Sequence, residues 1–402
     1  ITGANDTPTL ATPATAAYTD TTANDTFSNA TGTLSGTDRD TGQTLTYGIQ
    51  GVTSAGSTVS STNAYGTLTV TKATGAYTFA PSQSGINGVA ADTTATFTVT
   101  TSDGSATTTA TFTVEITGAN DTPTLATPAT ATYTDTSATD TFANATGTLS
   151  GADRDAGQTL TYGISGGTDN GTTVSSTNAY GTLTVTKATG AFTFAPSASA
   201  INALPAGSYS DAFSVTVADG TTTTAATYTV SITGVNDTPV LTTPSTATFT
   251  DTSANDAFAD ATGKLAATDP DTGQTLTYGI QGETSAGTTV SSTNAYGTLT
   301  VTKATGAYTF APNRSGINGV ASNTTATFTV TASDGTVAAT ATFTVSITGA
   351  NDTPALTTPT AASYTDTAID DTFANDTGTL AGADRDGQSL TYGVQGTRSE
   401  EH

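Results

Sequence analysis

The sequence has no cysteine, no methionine and no tryptophan, and its one histidine is the last of 402 residues, His402. Without thiols there is no disulfide framework, no thiolate metal site and no cysteine nucleophile. Without an internal histidine there is no Ser-His-Asp relay, no imidazole-bound zinc and little general-base chemistry near neutral pH, which argues against an enzyme. Basic residues are scarce as well. Nine Lys and Arg stand against 33 Asp and Glu, a formal net charge of −24 that repels nucleic acid and anionic membrane surfaces. No apolar run approaches the roughly 18 residues of a membrane span, and Ile1-Thr2-Gly3-Ala4 is not a signal peptide. The chain begins without Met and inside a repeat, so a segment of something longer is expected.

What the sequence does hold is Thr, Ala, Ser and Gly in excess, with 35% hydrophobic and only 10% charged residues. Thr suits the pleated, half-buried surface of a sheet and penalises helix interiors, so the composition leans to β structure. Asn-Asp-Thr-Pro recurs at Asn5, Asn120, Asn236 and Asn351, spacings of 115, 116 and 115 residues. Each interval repeats the same phrases, and a unit of that size buries its own core. Residues 1–4 read as the end of a preceding copy, 5–119, 120–235 and 236–350 as three β-sandwich copies, and 351–402 as a partial fourth.

Period-two alternation gives the strands. Leu68 and Val70 precede the Lys72-Ala73-Thr74-Gly75 turn and Tyr77 and Phe79 follow it, which makes a hairpin. A second hairpin joins Phe97-Thr98-Val99 to Phe112-Thr113-Val114-Glu115-Ile116 across Asp103-Gly104, with equivalents at Asp219-Gly220 and Asp334-Gly335. Tyr18, Leu34, Tyr47 and Ile49 mark three more strands, one of them spanning about residues 9–19. The total of seven or eight implies an all-β fold, tandem immunoglobulin-like or cadherin-like β-sandwich domains in an extended array. Inward alternation accounts for the aromatics as core, without any ligand.

The carboxylates gather in the loops. Strand parity places the linker Asn5-Asp6, the Asp38-Arg39-Asp40 loop and the Asp103 turn at one pole, and Asp20 and Asp25 at the other. Each junction then collects groups from both neighbours. The first complete one takes Asp20, Asn120, Asp121, Asp153, Asp155 and Asp219. The next takes Asp135, Asn236, Asp237, Asp269, Asp271 and Asp334, and the last Asp251, Asn351, Asp352, Asp384 and Asp386. So many carboxylates without basic partners repel one another, and a divalent cation relieves the repulsion. An oxygen-only donor set points to calcium, since magnesium keeps more water and demands stricter octahedral geometry. Alone, an Asp-x-Asp phrase is as readily a solvated Asx turn. It is not an EF-hand loop either, because Ile49 stands where the bidentate Glu belongs. The force of the reading lies in recurrence and convergence. Arg39, Arg154 and Arg385 inside these phrases weaken it by offering a pairing partner, yet the third copy has Pro270 there.

With the Asn-Asp-Thr-Pro linkers, Asp-x-Asp loops and Asp-Gly turns placed, the chain resembles the VCBS-type and cadherin-like tandem repeats of large bacterial surface adhesins of the type I-secreted, RTX-type class. Ile-Thr-Gly-Ala-Asn-Asp-Thr-Pro (1–8, 116–123, 347–354) resembles that family's domain junction, with Val235 replacing Ala in the third copy. The resemblance implies an extracellular, cell-surface spacer stiffened by calcium ions, whose partners are those ions and the neighbouring repeats of the same chain. The distal adhesive target is not specified. Neither nucleic acid nor direct membrane insertion is expected. At about 3.3 Å per strand residue each copy adds roughly 35–45 Å, so the segment is expected to reach on the order of 150 Å. Two other readings stay open: a carbohydrate- or receptor-binding module with Tyr65, Tyr180 and Tyr296 as stacking platforms, and a subunit of an extracellular filament. The last copy holds about three strands, and its ending, Thr397 to His402, departs from the repeat as a cut with a tag remnant or as a fold completed by another chain.

Overall fold

The computed structural model describes residues 3–396. Ile1, Thr2 and the ending Thr397 to His402, with the readings made of them, lie outside the described residues. The chain separates into two compact units. One comprises Ile1–Tyr133, Thr141–Ala200 and Ser208–Ile232. The other comprises Thr134–Asp140, Ile201–Gly207 and Thr233–His402.

The first copy contains β1 (Thr9–Leu10), β2 (Ala16–Thr19), β3 (Ala30–Thr33), β4 (Gly36–Thr37), β5 (Thr46–Ile49), β6 (Thr58–Asn63), β7 (Gly66–Thr71) and β8 (Ala76–Pro81), then the single-turn α1 (Gln83–Ile86), β9 (Thr93–Ser102) and β10 (Thr107–Thr117). One sheet has the order β2-β10-β9-β5 and the other β3-β8-β7-β6, with β1 and β4 as a separate short pair. The second and third copies repeat the pattern, and in the second Thr168–Asp169 adds a fifth strand beside Thr173–Asn178. The protein is nearly all β, with the same two-sheet arrangement in each of its first three copies.

Alternation drives the packing. Along β7 the burial runs Gly66, Leu68 and Val70 inward, with Thr67, Thr69 and Thr71 half-exposed. On the other sheet Phe97 and Phe112 stand directly opposite each other and meet the Phe79 ring at centroid distances of 5.9 and 6.0 Å. Outside, the same register stacks Thr on Thr: Thr96 faces Thr113, Thr98 faces Thr111 and Thr100 faces Thr109. Ser60 and Thr69, and Thr62 and Thr67, share hydroxyl hydrogen bonds of 2.8 Å. Cross-strand pairs of this kind stabilise a sheet by tenths of a kcal/mol each.

The expected single strand over 9–19 is two strands. β1 pairs antiparallel with β4, and β2 crosses to the other sheet and pairs parallel with β10. Pro13 stands between them and has no N–H to continue a ladder. The expected seven or eight strands per copy become ten in the first and third copies and eleven in the second, the surplus including this split, the two-residue β4 and, in the second, Thr168–Asp169. Leu34, expected in a strand, lies just past β3 yet is buried. The β7–β8 turn closes on Gly75, whose φ of +72° suits glycine and whose carbonyl accepts from Leu34 N at 2.9 Å. Gly190 and Gly306 repeat this at +70° and +71°. Tyr65 and Tyr296 are half-buried against their cores.

In the fourth copy the expected three strands reduce, among the described residues, to Ala355–Leu356 paired with Gly382–Ala383. Tyr364, Phe373 and Tyr392 are about half exposed, and among the described residues no segment matching β6 to β10 covers them. Among the described residues no helix is long and apolar enough to cross a membrane.

Two substitutions check this account by urea denaturation followed by circular dichroism. Phe79→Ala is expected to destabilise the first copy by about 3–5 kcal/mol through the cavity it leaves. Gly75→Ala is expected to cost about 1–2 kcal/mol, the penalty of a Cβ in left-handed backbone.

Candidate metal centres at the domain seams

Each copy starts from the same brace. In the second copy Asn120 Nδ2 donates to Asp121 O at 2.8 Å and to Asp219 Oδ2 at 2.9 Å, and Asn120 Oδ1 accepts from Gln158 Nε2 at 2.9 Å. Asn5 makes the same three bonds to Asp6, Asp103 and Gln43, and Asn236 to Asp237, Asp334 and Gln274. Asn351 reaches Asp352 O at 3.0 Å and accepts from Gln388 at 2.6 Å. The Asp-Gly turn aspartates are likewise engaged. Asp219 Oδ1 accepts from Thr221 N and Thr222 N, both at 2.6 Å, and these bonds with the one from Asn120 hold its carboxyl well below the usual range. Asp103 is held low chiefly by the Ala106 N–H, with Asn5 and Ser105 adding to it. Asp334 stays low despite its desolvation, through Asn236 and the turn amides.

The Asp-x-Asp loop is fixed by its own backbone. Asp153 Oδ1 accepts from Asp155 N at 2.8 Å, and Asp155 Oδ2 accepts from Asp121 N at 2.7 Å. This leaves Asp153 Oδ2 and Asp155 Oδ1 buried without a partner. From the preceding copy comes Asp20, one residue past β2, held by its N–H to Thr117 O at 2.9 Å. Its loop is closed by Asp25, which accepts from Thr21 N at 2.6 Å, and by Asn87 at the end of α1, which accepts from Asp25 N at 2.7 Å and donates to Asp25 O at 2.9 Å. Asp20 is 3% exposed, and neither of its oxygens has a hydrogen-bond partner.

Asp20, Asp121 and Asp155 come together so that one carboxylate oxygen of each lies within 4.8 Å of the others. Asp251, Asp352 and Asp386 do the same at the seam between the third and fourth copies. At the seam between the second and third copies Asp135 is fully buried with both oxygens unpartnered, alongside unpartnered oxygens of Asp269 and Asp271 and the buried Asp237. Ahead of the first copy the loop is present, with Asp6 N donating to Asp40 Oδ2 at 2.8 Å and Asp40 N to Asp38 Oδ1 at 2.7 Å; there Asp6 is exposed and Asp38 Oδ2 is the unpartnered buried oxygen. Asp384 Oδ1 accepts from Asp386 N at 2.9 Å in the last loop.

The candidate ligands therefore sort into two kinds. Asn5, Asn120, Asn236, Asn351, Asp103, Asp219 and Asp334 spend their side chains on bracing the linker. Asp20, Asp121, Asp153 and Asp155 at the first seam, Asp135, Asp269 and Asp271 at the second and Asp251, Asp352 and Asp386 at the third keep buried oxygens without a partner. Burial, followed by repulsion from Asp121, Asp25 and Asp155, pushes the Asp20 carboxyl up to about 6. Burial, then Asp271, Asp135 and Asp269, does the same to Asp237, also to about 6. Asp121 is raised by burial against the opposing pull of Arg154, whose Nη1 lies 3.0 Å from Asp121 Oδ1. Asp135, Asp251 and Asp269 are raised chiefly by burial. At the first seam the spare buried oxygens are both of Asp20, Asp121 Oδ2, Asp153 Oδ2 and Asp155 Oδ1, a hard, all-oxygen, anionic set of the kind that fits a divalent cation such as calcium.

Sequence reasoning missed the glutamines that orient the linker asparagines and the asparagines Asn87, Asn202 and Asn318 that hold the far loops. Periodicity was the available signal, since Gln43, Gln158 and Gln274 each follow their linker Asn by 38 residues.

A carboxyl whose folded pKa is raised makes its favourable contribution below its unfolded pKa of 3.8 and loses it as pH climbs through about 6. In EDTA the melting temperature, followed by circular dichroism, is therefore expected to fall between about pH 4 and pH 7. A flat or rising profile contradicts the seam electrostatics.

Residues 236–349 match the family model of the bacterial cadherin-like domain. None of the curated proteins compared with the chain matches it. Among solved structures, the chain is similar to protocadherin gammaB7 repeats EC3-6 at 14% identity and TM-score 0.35, covering 89% of this chain and 77% of that one. It is similar to Drosophila N-cadherin EC1-4 at 16% identity and TM-score 0.33, covering 87% and 76%, and to the human desmocollin-1 ectodomain at 16% and 0.25, covering 87% and 63%. Scores this low give the likeness to solved structures no weight; the match that counts is that of the third copy, residues 236–349, to the bacterial cadherin-like domain.

Proposed function

We propose that this chain is part of the spacer region of an extracellular bacterial surface adhesin, and that each seam between copies is stiffened by bound calcium. The observation that carries this reading is Asp20: a carboxylate from the first copy, 3% exposed with both oxygens unpartnered, gathered with Asp121 of the linker and Asp155 of the second copy. When bound, calcium supplies positive charge to this set. The chain's own residues do the rest. Asp20 contributes from one domain and Asp153 and Asp155 from the next, so that a change in the angle between the two domains pulls ligands apart. The Asn120 brace and the Asp155–Asp121 backbone bond hold the linker in register with the second copy. Extracellular modules typically bind calcium at about 10⁻⁴–10⁻³ M, which suits a chain that stays loose inside the cell and stiffens outside it.

Binding to the native state alone raises the melting temperature, so millimolar calcium is expected to raise it and EDTA to reverse the change. Asp20→Asn separates ligand from bystander. It is expected to stabilise the metal-free protein, by removing an unpaired buried charge, and to diminish the calcium response. Small-angle scattering is expected to show a larger spread of sizes in EDTA. A melting temperature and a scattering curve indifferent to calcium sink the proposal.

A further inference from the structure

The three seams carry the same aspartates but differ in the basic groups set against them. Between the two aspartates of the Asp-x-Asp loop stand Arg154 at the first seam, Pro270 at the second and Arg385 at the third. Arg154 Nη1 lies 3.0 Å from Asp121 Oδ1 and Arg385 Nη1 lies 3.6 Å from Asp352 Oδ1, and the two aspartate side chains are 3% and 1% exposed. Pro270 sets no charge against Asp237, and among the described residues no ion pair reaches Asp237. The third seam has a second guanidinium. Arg314 donates from Nε to Asp256 O and from Nη2 to Asn255 O, both at 2.6 Å, in the loop that begins at Asp251. The matching helix positions in the first two copies are Gln83 and Ala198. Among the described residues, the guanidinium groups paired with a linker aspartate thus number one, none and one, with Arg314 on a neighbouring loop of the third seam.

A cation entering the first or third seam meets a guanidinium set against the linker aspartate, hydrogen-bonded to Asp121 Oδ1 in the first and 3.6 Å from Asp352 Oδ1 in the third, and that charge repels the newcomer. The middle seam offers its carboxylates without that competition. We propose that the residue between the two aspartates sets the calcium affinity of its seam, so that the Pro270 seam fills first and the Arg154 and Arg385 seams after it. This rests on the calcium reading above and goes beyond it, because bound calcium alone does not require the seams to differ. Arg154 and Arg385 are about half exposed, at 45% and 47%, so their repulsion is screened, and one such charge beside a divalent ion is expected to change affinity on the order of tenfold. The arginines also do the cation's work in part when calcium is low, by pairing with Asp121 and Asp352. As calcium falls, the two arginine seams empty before the middle one.

The test uses the full chain with calcium alone as probe. Native mass spectrometry counts ions bound at each free calcium concentration, and isothermal titration gives the stepwise affinities. Pro270→Arg is expected to weaken the tightest step about tenfold, and Arg154→Gln to strengthen a weaker step by a similar factor, with Arg154→Lys leaving it close to unchanged. The difference between Arg154→Gln and the parent protein is expected to shrink in 0.5 M salt. Pro270→Ala controls for backbone change and is expected to leave the tightest step in place; circular dichroism in saturating calcium confirms that each variant is folded. If Pro270→Ala weakens binding as much as Pro270→Arg, or if Arg154→Gln and Pro270→Arg leave every step unmoved, the proposal is overturned while calcium binding stands. If the parent protein binds no calcium, the functional reading itself fails.

Discussion

Unpartnered carboxylates drawn from two successive domains into one buried seam are the constraint around which the rest of this structure is organised. Each such oxygen has given up water without gaining a hydrogen bond, and its neighbours carry the same charge. Like charges in a desolvated site disfavour ionisation, which is why burial and mutual repulsion push Asp20 and Asp237 upward together. Such an arrangement persists only if the surrounding fold holds it. Here the holding is done by the end of β2 at one pole and the Asn-Asp linker at the other.

The same side-chain chemistry serves two ends, separated by local hydrogen bonding. Asp219 is saturated by turn amides and Asn120, and its carboxyl is depressed; Asp20 receives nothing, and its carboxyl is raised. A chain with so few basic residues cannot neutralise its aspartates in pairs. It therefore satisfies some with backbone and amide donors and leaves others clustered. The domains between the seams are plain by comparison, a small aromatic core of Phe79, Phe97 and Phe112 under outer faces of stacked threonine. That plainness lets a copy be repeated with little change, because nothing in its interior depends on which neighbour it has.

Much of this was legible in the sequence. The 115-residue period, the hairpins around Gly75 and Asp103-Gly104 and the inward aromatics follow from alternation and turn chemistry, which are local signals. Strand parity brought acidic loops of neighbouring copies to one seam, and Asp20, Asp121 and Asp155 do meet there. What parity lacked was resolution below the loop. It gave Asn120, Asp219, Asp121 and Asp155 one role, because position along the chain does not reveal which oxygens are already taken. It also ran 9–19 as one strand, where Pro13 divides it between two sheets.

The sequence by itself determined that this is a β repeat of fixed period, poor in catalytic chemistry and acidic at its turns, because alternation, turn residues and composition are properties of neighbouring residues. Only the tertiary structure decided which aspartates brace and which are left with bare oxygens, and that Arg154 and Arg385 pair with a linker carboxylate while Pro270 leaves its seam without one. The physical reason is that desolvation and hydrogen-bond satisfaction are set by groups as far apart in sequence as Asp20 and Asp121, brought together only when two domains are folded and joined.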